Sequence, residues 1–227
     1  MNLLIKNPNA KIKNKFKNKM DIFKRNRQAQ SDILRSYKED TDYQLMKFTL
    51  VTLNELIKIV QTRSEFMFVP ALRGKRGLIF SKNQQTWAEG TSFSSMLPDG
   101  SFKAKDGSGV VLDTIHVDDV FWILDVLFWK DVDLVDCEAE TRSFWLSAKY
   151  DSCLGKVSRD NQYSFQILPR VDGSFENWSE IMKDWIDNDN FDGILVYNKH
   201  SYYLSGQISP LCLKISKDLW TCMNSCN

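Results

Sequence analysis

Nowhere does this sequence run apolar for the roughly 20 residues that a bilayer crossing requires, and its N-terminal MNLLIKNPN has neither a long apolar stretch nor a small-residue cleavage site. A secretory signal and a membrane span are therefore not expected, and the chain reads as soluble with no membrane partner. A glycine-rich, phosphate-cradling loop between a strand and a helix is also missing. That removes support from nucleotide-hydrolase and dinucleotide-cofactor readings, and no cofactor is expected. Cysteines are few and odd in number: Cys137, Cys153, Cys212, Cys222 and Cys226. With no second histidine in a zinc-like pattern, they read as reduced thiols of a nuclear or cytosolic protein. Cys222 and Cys226 invite a metal reading that a frayed tail does not favour, so no metal is expected. There is no internal repeat.

A large net charge is lacking too, since the formal total is +1. The distribution is lopsided: Lys6, Lys11, Lys13, Lys15, Lys17, Lys19, Lys24, Arg25 and Arg27 precede almost all the acids. A basic arm thus leads an acidic-leaning body. With 227 residues and 43% hydrophobic content the chain can bury one core of ordinary size. The division that follows is an arm over 1–40, a body over 41–218 and a tail over 219–227. The first 19 or so residues are Lys/Asn-rich and are expected to be disordered. From Met20, the residues Met20, Phe23, Ile33, Leu34 and Tyr37 recur at loosely helical spacing amid Lys24, Arg25, Arg27 and Arg35. That predicts a basic amphipathic helix over about 20–38. Two roles stay open for it, a docking segment that folds on an acidic partner or nucleic acid, and a solvated surface helix.

In the body, the stretch EFMFVPALRGKRGLIFSK over 65–82 alternates like a strand, breaks at Arg73-Gly74 and resumes as Leu78-Ile79-Phe80. A cationic glycine turn between two apolar strands could hold phosphate, because glycine admits backbone N–H groups and Arg73, Lys75 and Arg76 supply charge. An ordinary hairpin with an exposed basic turn gives the same pattern.

Before it, residues 43–60 read as a helix whose apolar face is interrupted by Thr52, Asn54 and Glu55, so that its last turns could instead be a strand or loop leading into Glu65. After it, Pro98-Asp99-Gly100 marks a turn. Strands are predicted over 110–117, 120–129, 144–148, 163–168, 191–197 and 209–215. Ser174 is expected to cap a helix carrying Phe175, Trp178, Ile181, Met182, Trp185 and Ile186. The run VFWILDVLFW suits a strand covered on both faces, and the Asp125 inside it must be paired, protonated or part of a site. Many strands with one long body helix predict an α+β fold of twisted antiparallel sheets with flanking helices.

The segments GKRGLIF (74–80), SFSSMLPDG (92–100), VLD (111–113), FWILDVLFWK (121–130), DCEAETRSFWLSAK (136–149) and DGILVYNKHSYY (192–203), in that order and spacing, resemble the snurportin family of import adaptors for U snRNPs. The resemblance covers most of 65–214. It implies the fold shared by mRNA guanylyltransferases and DNA ligases, and a domain that binds the trimethylguanosine cap of U snRNA. It also implies an importin-β-binding segment in front, here sparse in arginine, whose cations are Lys24, Arg25, Arg27 and Arg35. Partners implied are capped U snRNA or snRNP, importin-β and an exportin, in a protein shuttling between nucleus and cytoplasm.

Nucleotidyltransferases of this fold carry Lys-x-Asp-Gly-x-Arg, whose lysine attacks the α-phosphate. Setting Gly74 and Arg76 on that motif puts Ala71 at the lysine and Arg73 at the aspartate, so the chain is expected to be a binding module and no enzyme. Asp192-Gly193-Ile194 and Leu213-Lys214 resemble later motifs of the same fold, whereas Leu124-Asp125-Val126-Leu127 lacks the metal-binding glutamate. By the resemblance, Lys75, Arg76 and Gly77 are the cap-contacting residues. A family tryptophan that stacks the base falls on Cys212 or Leu213, a second falls near Leu53-Asn54-Glu55-Leu56, and a family lysine near Trp87-Ala88-Glu89. Trp87 or Trp220 could supply a substitute ring, or could simply pack. Two further readings stay open: a degenerate RNA-binding or scaffold protein that has lost the cap, and a divergent nucleotidyltransferase.

Overall fold

The computed structural model describes residues 43–82, 85–90, 94–96, 109–130, 132–153, 163–183 and 185–225. Contacts divide the chain into Met1–Asp42 and Tyr43–Asn227, and every described residue lies in the second part. The basic helix expected over 20–38, with Lys24, Arg25, Arg27 and Arg35, and the turn at Pro98-Asp99-Gly100 lie outside the described residues.

The body is built on two sheets. In the first, β1 (Lys47–Leu50), β12 (Ile208–Ser216), β11 (Phe191–Asn198), β2 (Phe66–Leu72) and β10 (Val171–Asp172) lie side by side in that order, antiparallel except for β1 beside β12. In the second the order is β5 (Ser94–Met96), β4 (Gln85–Gly90), β3 (Lys75–Lys82), β6 (Val110–Val117), β7 (Val120–Trp129) and β8 (Val132–Asp133). Strand β9 (Ser164–Ile167) runs parallel along β7.

Because strand side chains alternate, each sheet sends one set of apolar residues outward to a helix layer and the other set toward its partner sheet. On the first sheet Phe68, Ile194, Val196 and Ile215 pack outward with Leu56 and Ile59 of α1 (Leu53–Gln61), Met182 of α3 (Trp178–Lys183) and Trp220 of α4 (Lys217–Ser225). On the second, Ile79, Leu112, Phe121, Ile123 and Val126 pack outward with Leu146 of α2 (Ala139–Cys153). The inner faces turn toward each other. Among the described residues no helix is long and apolar enough to cross a membrane.

The α+β expectation with twisted sheets and flanking helices holds, and four local expectations are corrected. The helix expected over 43–60 is a strand, β1, followed by α1. Thr52, which looked like an interruption, is the N-cap: its N–H donates to Glu55 Oε2 at 2.7 Å, and the Glu55 N–H donates back to Thr52 Oγ1 at 3.4 Å. Such a reciprocal cap is worth about 1 kcal/mol and fixes where the helix begins. The strand expected over 144–148 lies inside α2, whose buried residues Ala139, Arg142 and Leu146 recur at helical intervals that a five-residue window hides. The helix expected after Ser174 is only the short α3. The Ser174 N–H instead donates to Asp172 Oδ1 at 2.8 Å, and Phe175 is exposed. The tail expected from 219 is largely α4, held by fully buried Trp220 against Trp178, ring centres 5.6 Å apart.

Candidate nucleotide cleft

Strands β2 and β3 do not pair, so the stretch 65–82 is not a hairpin. Strand β2 lies between β11 and β10 in the first sheet, whereas β3 lies between β4 and β6 in the second. Arg73-Gly74 is therefore the corner at which the chain passes from one sheet to the other. Glycine is required there, because a Cβ on Gly74 would lie 2.6 Å from the His116 carbonyl oxygen. The corner is also tied by the Arg73 N–H, which donates to the Asn190 carbonyl at 2.6 Å.

Where the sheets diverge from this corner they enclose a cavity of about 300 Å³, at the lower end of the range for small-molecule pockets. The first sheet lines it with Phe48, Ala71, Leu72, Asp192, Leu195 and Lys214, the corner with Arg73 and Gly74, and the second sheet with Arg76, Ile115 and Leu124. Of the three residues expected to contact a cap, Arg76 lines the cavity and Lys75 and Gly77 do not. The reason is register. Lys75 pairs with His116, Arg76 with Ile115 and Gly77 with Thr114, so alternation sends Arg76 and Ile115 to the cavity and their neighbours to the opposite face.

Arg76 is also spoken for. Its Nε and Nη2 donate to the Asp113 carboxylate at 3.0 and 2.5 Å, its Nη1 donates to the Met46 carbonyl at 2.7 Å, and its guanidinium lies 4.4 Å from the centre of the Phe48 ring. Burial alone disfavours the charge, but the Asp113 carboxylate more than offsets it and holds Arg76 above the usual arginine range. Asp113 accepts a further hydrogen bond from the Tyr203 hydroxyl at 2.9 Å, and burial together with that carboxylate pushes the hydroxyl well above its ordinary pKa.

Asp113 sits directly across from Asp125 in the β6–β7 pair, and both are fully buried. Two carboxylates so placed repel unless each has its own cation. Asp125 has Arg142, which donates from Nε and Nη2 at 3.0 Å each, with both side chains fully buried. The alternatives left open for Asp125 thus resolve to pairing. The register shifts at this point so that Leu124 is the extra residue of a bulge, which lets Leu124 line the cavity while Asp125 also stays on the inner face.

Asp192 and Lys214, which the resemblance sets on later motifs, meet in the cleft, with Lys214 Nζ 2.5 Å from Asp192 Oδ2. Ala71, set on the motif's lysine, lines the wall. Trp220 is in the outer core, away from the cavity. Trp87 lies on β4 opposite Phe80, and its side chain is outside what is described. Residues 53–56, near which the resemblance sets a second family tryptophan, belong to α1, whose Leu56 packs into that outer core. The ring that does line the cavity is Phe48, edge-on to Tyr197 with ring centres 5.8 Å apart. Sequence reasoning missed it because its strand was taken for helix.

The model of one family, the Snurportin1 m3G cap-binding domain, matches residues 52–214. Among solved structures the chain is similar to a mycobacterial DNA ligase D complexed with ATP and MES, at 13% identity and a TM-score of 0.54, covering 77% of this chain and 60% of that one. The ligase domain of the M. tuberculosis enzyme gives 14% identity and the same TM-score of 0.54, covering 76% of this chain and 59% of that one. At such identities the likeness shows the fold, which is that of DNA ligase nucleotidyltransferase domains. These matches correct the expectation that the chain is no enzyme. The solved structures it resembles are DNA ligases, one of them complexed with ATP, so the fold does not exclude an enzyme.

Proposed function

We propose that this chain, which belongs to the family of the Snurportin1 m3G cap-binding domain, binds the trimethylguanosine cap of U snRNA in the cleft between its sheets and recruits importin-β through its basic arm. The family match over residues 52–214 carries the reading. It is supported by a cavity of about 300 Å³ lined by the exposed Arg73 and the part-exposed Lys214, cations that suit an anionic nucleotide. Lys24, Arg25, Arg27 and Arg35 are the importin-β-binding cations of this reading. The protein then shuttles between cytoplasm and nucleus with its snRNP cargo, and an exportin returns it.

The experiment is a fluorescence titration with trimethylated and monomethylated cap dinucleotides. Several-fold tighter binding of the trimethylated form is expected, and equal or absent binding overturns cap specificity. One observation favours a second reading, a protein that binds RNA without regard to the cap. Cys212, one of two residues set on the family's stacking tryptophan, is fully buried and offers no ring. Loss of a stacked ring forfeits on the order of 1–3 kcal/mol per base. Methyl-independent RNA binding that weakens steeply with salt identifies this second case.

A further inference from the structure

The cations around the cleft fall into two groups. Arg76 is engaged by Asp113, the Met46 carbonyl and the Phe48 ring, and Lys75 points to the other face of β3. Arg76 cannot leave Asp113 without uncovering a fully buried carboxylate, and Lys75 does not line the cavity. Arg73 differs: it lines the cavity, it is exposed, and its guanidinium has no hydrogen-bond or ion-pair partner among the described residues. Its backbone is pinned on both sides, by the N–H bond to Asn190 and by the close fit of Gly74 under His116. Only the side chain is left to move. Lys214 also lines the cavity, with its Nζ on Asp192 Oδ2 at 2.5 Å and the two side chains 28% and 35% exposed.

We propose that the phosphate chain of the cleft's nucleotide is held by Arg73 and Lys214, not by Lys75 and Arg76, and that Asp192 is an internal anion which the phosphate displaces from Lys214. The assignment rests on the cleft binding a nucleotide, as proposed above. The guanidinium fork matches a phosphate bidentately and the ammonium serves as a point charge. Asp192 acts against both. A part-exposed ion pair of this kind contributes little, so its displacement costs little. Its carboxylate nevertheless remains beside the bound phosphates and lowers affinity by repulsion.

The test uses the full chain and titrates guanosine, guanosine mono-, di- and triphosphate and the trimethylated cap dinucleotide at one fixed salt concentration. Wild type should bind more tightly as phosphates are added. Arg73→Ala should bind the triphosphate and the cap dinucleotide about tenfold more weakly with its melting temperature unchanged. Lys75→Ala should stay within twofold of wild type, and Asp192→Asn should bind the phosphate-bearing probes several-fold more tightly. Wild type that binds none of the probes overturns both the cleft reading and this assignment. Wild-type binding with Arg73→Ala unaffected, with Lys75→Ala losing affinity instead, or with Asp192→Asn binding more weakly overturns this assignment alone.

Discussion

Asp125 and Arg142 show how a charge can lie at the centre of this body and be structural. Both side chains are fully buried and meet through two bonds of 3.0 Å, and the Val126 N–H donates to the same carboxylate at 2.9 Å. Arg142 is held above the usual arginine range because the Asp125 carboxylate outweighs the cost of burying the guanidinium. Removing one partner leaves the other charge buried and uncompensated, which costs about 3–5 kcal/mol. Asp125→Asn is therefore expected to lower stability by that amount in urea melts. A double replacement by apolar residues should be much milder. A single-variant loss below about 1 kcal/mol would show that water or another group already satisfies Arg142.

At the scale of elements, the cleft depends on places where strands are forced together or apart. Gly193 has φ +132°, and a Cβ there would lie 2.1 Å from the Ile215 carbonyl oxygen. It pairs with Ser216 on β12, one residue after Asp192 and in the strand pair that carries Lys214. Gly193→Ala must part β11 from β12 or strain the backbone, at a cost of roughly 2–3 kcal/mol. Hydrogen exchange should show β12 amides losing protection ahead of those of β6 and β7, and uniform loss across both sheets would count against a local effect. Strand pairing also accounts for the stretch 65–82. A glycine after a cation looks like a hairpin turn, but β2 and β3 found better partners in β11 and β6, and the turn became a corner between sheets.

For the whole molecule, the proposed function places the cap and the transport receptor on different residues. Replacing Lys24, Arg25, Arg27 and Arg35 together by Ala should abolish capture of purified importin-β and leave cap-dinucleotide affinity within twofold of wild type. Capture that persists in this variant would remove those four cations from the interaction.

Much of the fold was legible in the chain. Alternating or continuous apolar runs marked β6, β7, β11 and β12, because a strand packed on a sheet must alternate or be apolar throughout whatever its partners are. Where a helix and a strand compete over a few residues, as at 43–60 and 144–148, local pattern could not choose. The deciding terms there were the pairing of β1 with β12 and the docking of Arg142 and Leu146, which are contacts distant in sequence. In the candidate site, the composition of 71–76 marked the corner, since glycine and cations are scarce in an apolar strand. The sequence by itself thus determined the class of fold, the paired state of Asp125 as one of few options, and the cationic corner. Only the tertiary structure decided which cations face the cleft: register sends Arg76 inward and Lys75 outward, Asp113 then occupies Arg76, and Arg73 and Lys214 line the cavity beside it. That choice turns on strands more than 100 residues apart in sequence, β3 and β12, and no local pattern reports how they will be placed.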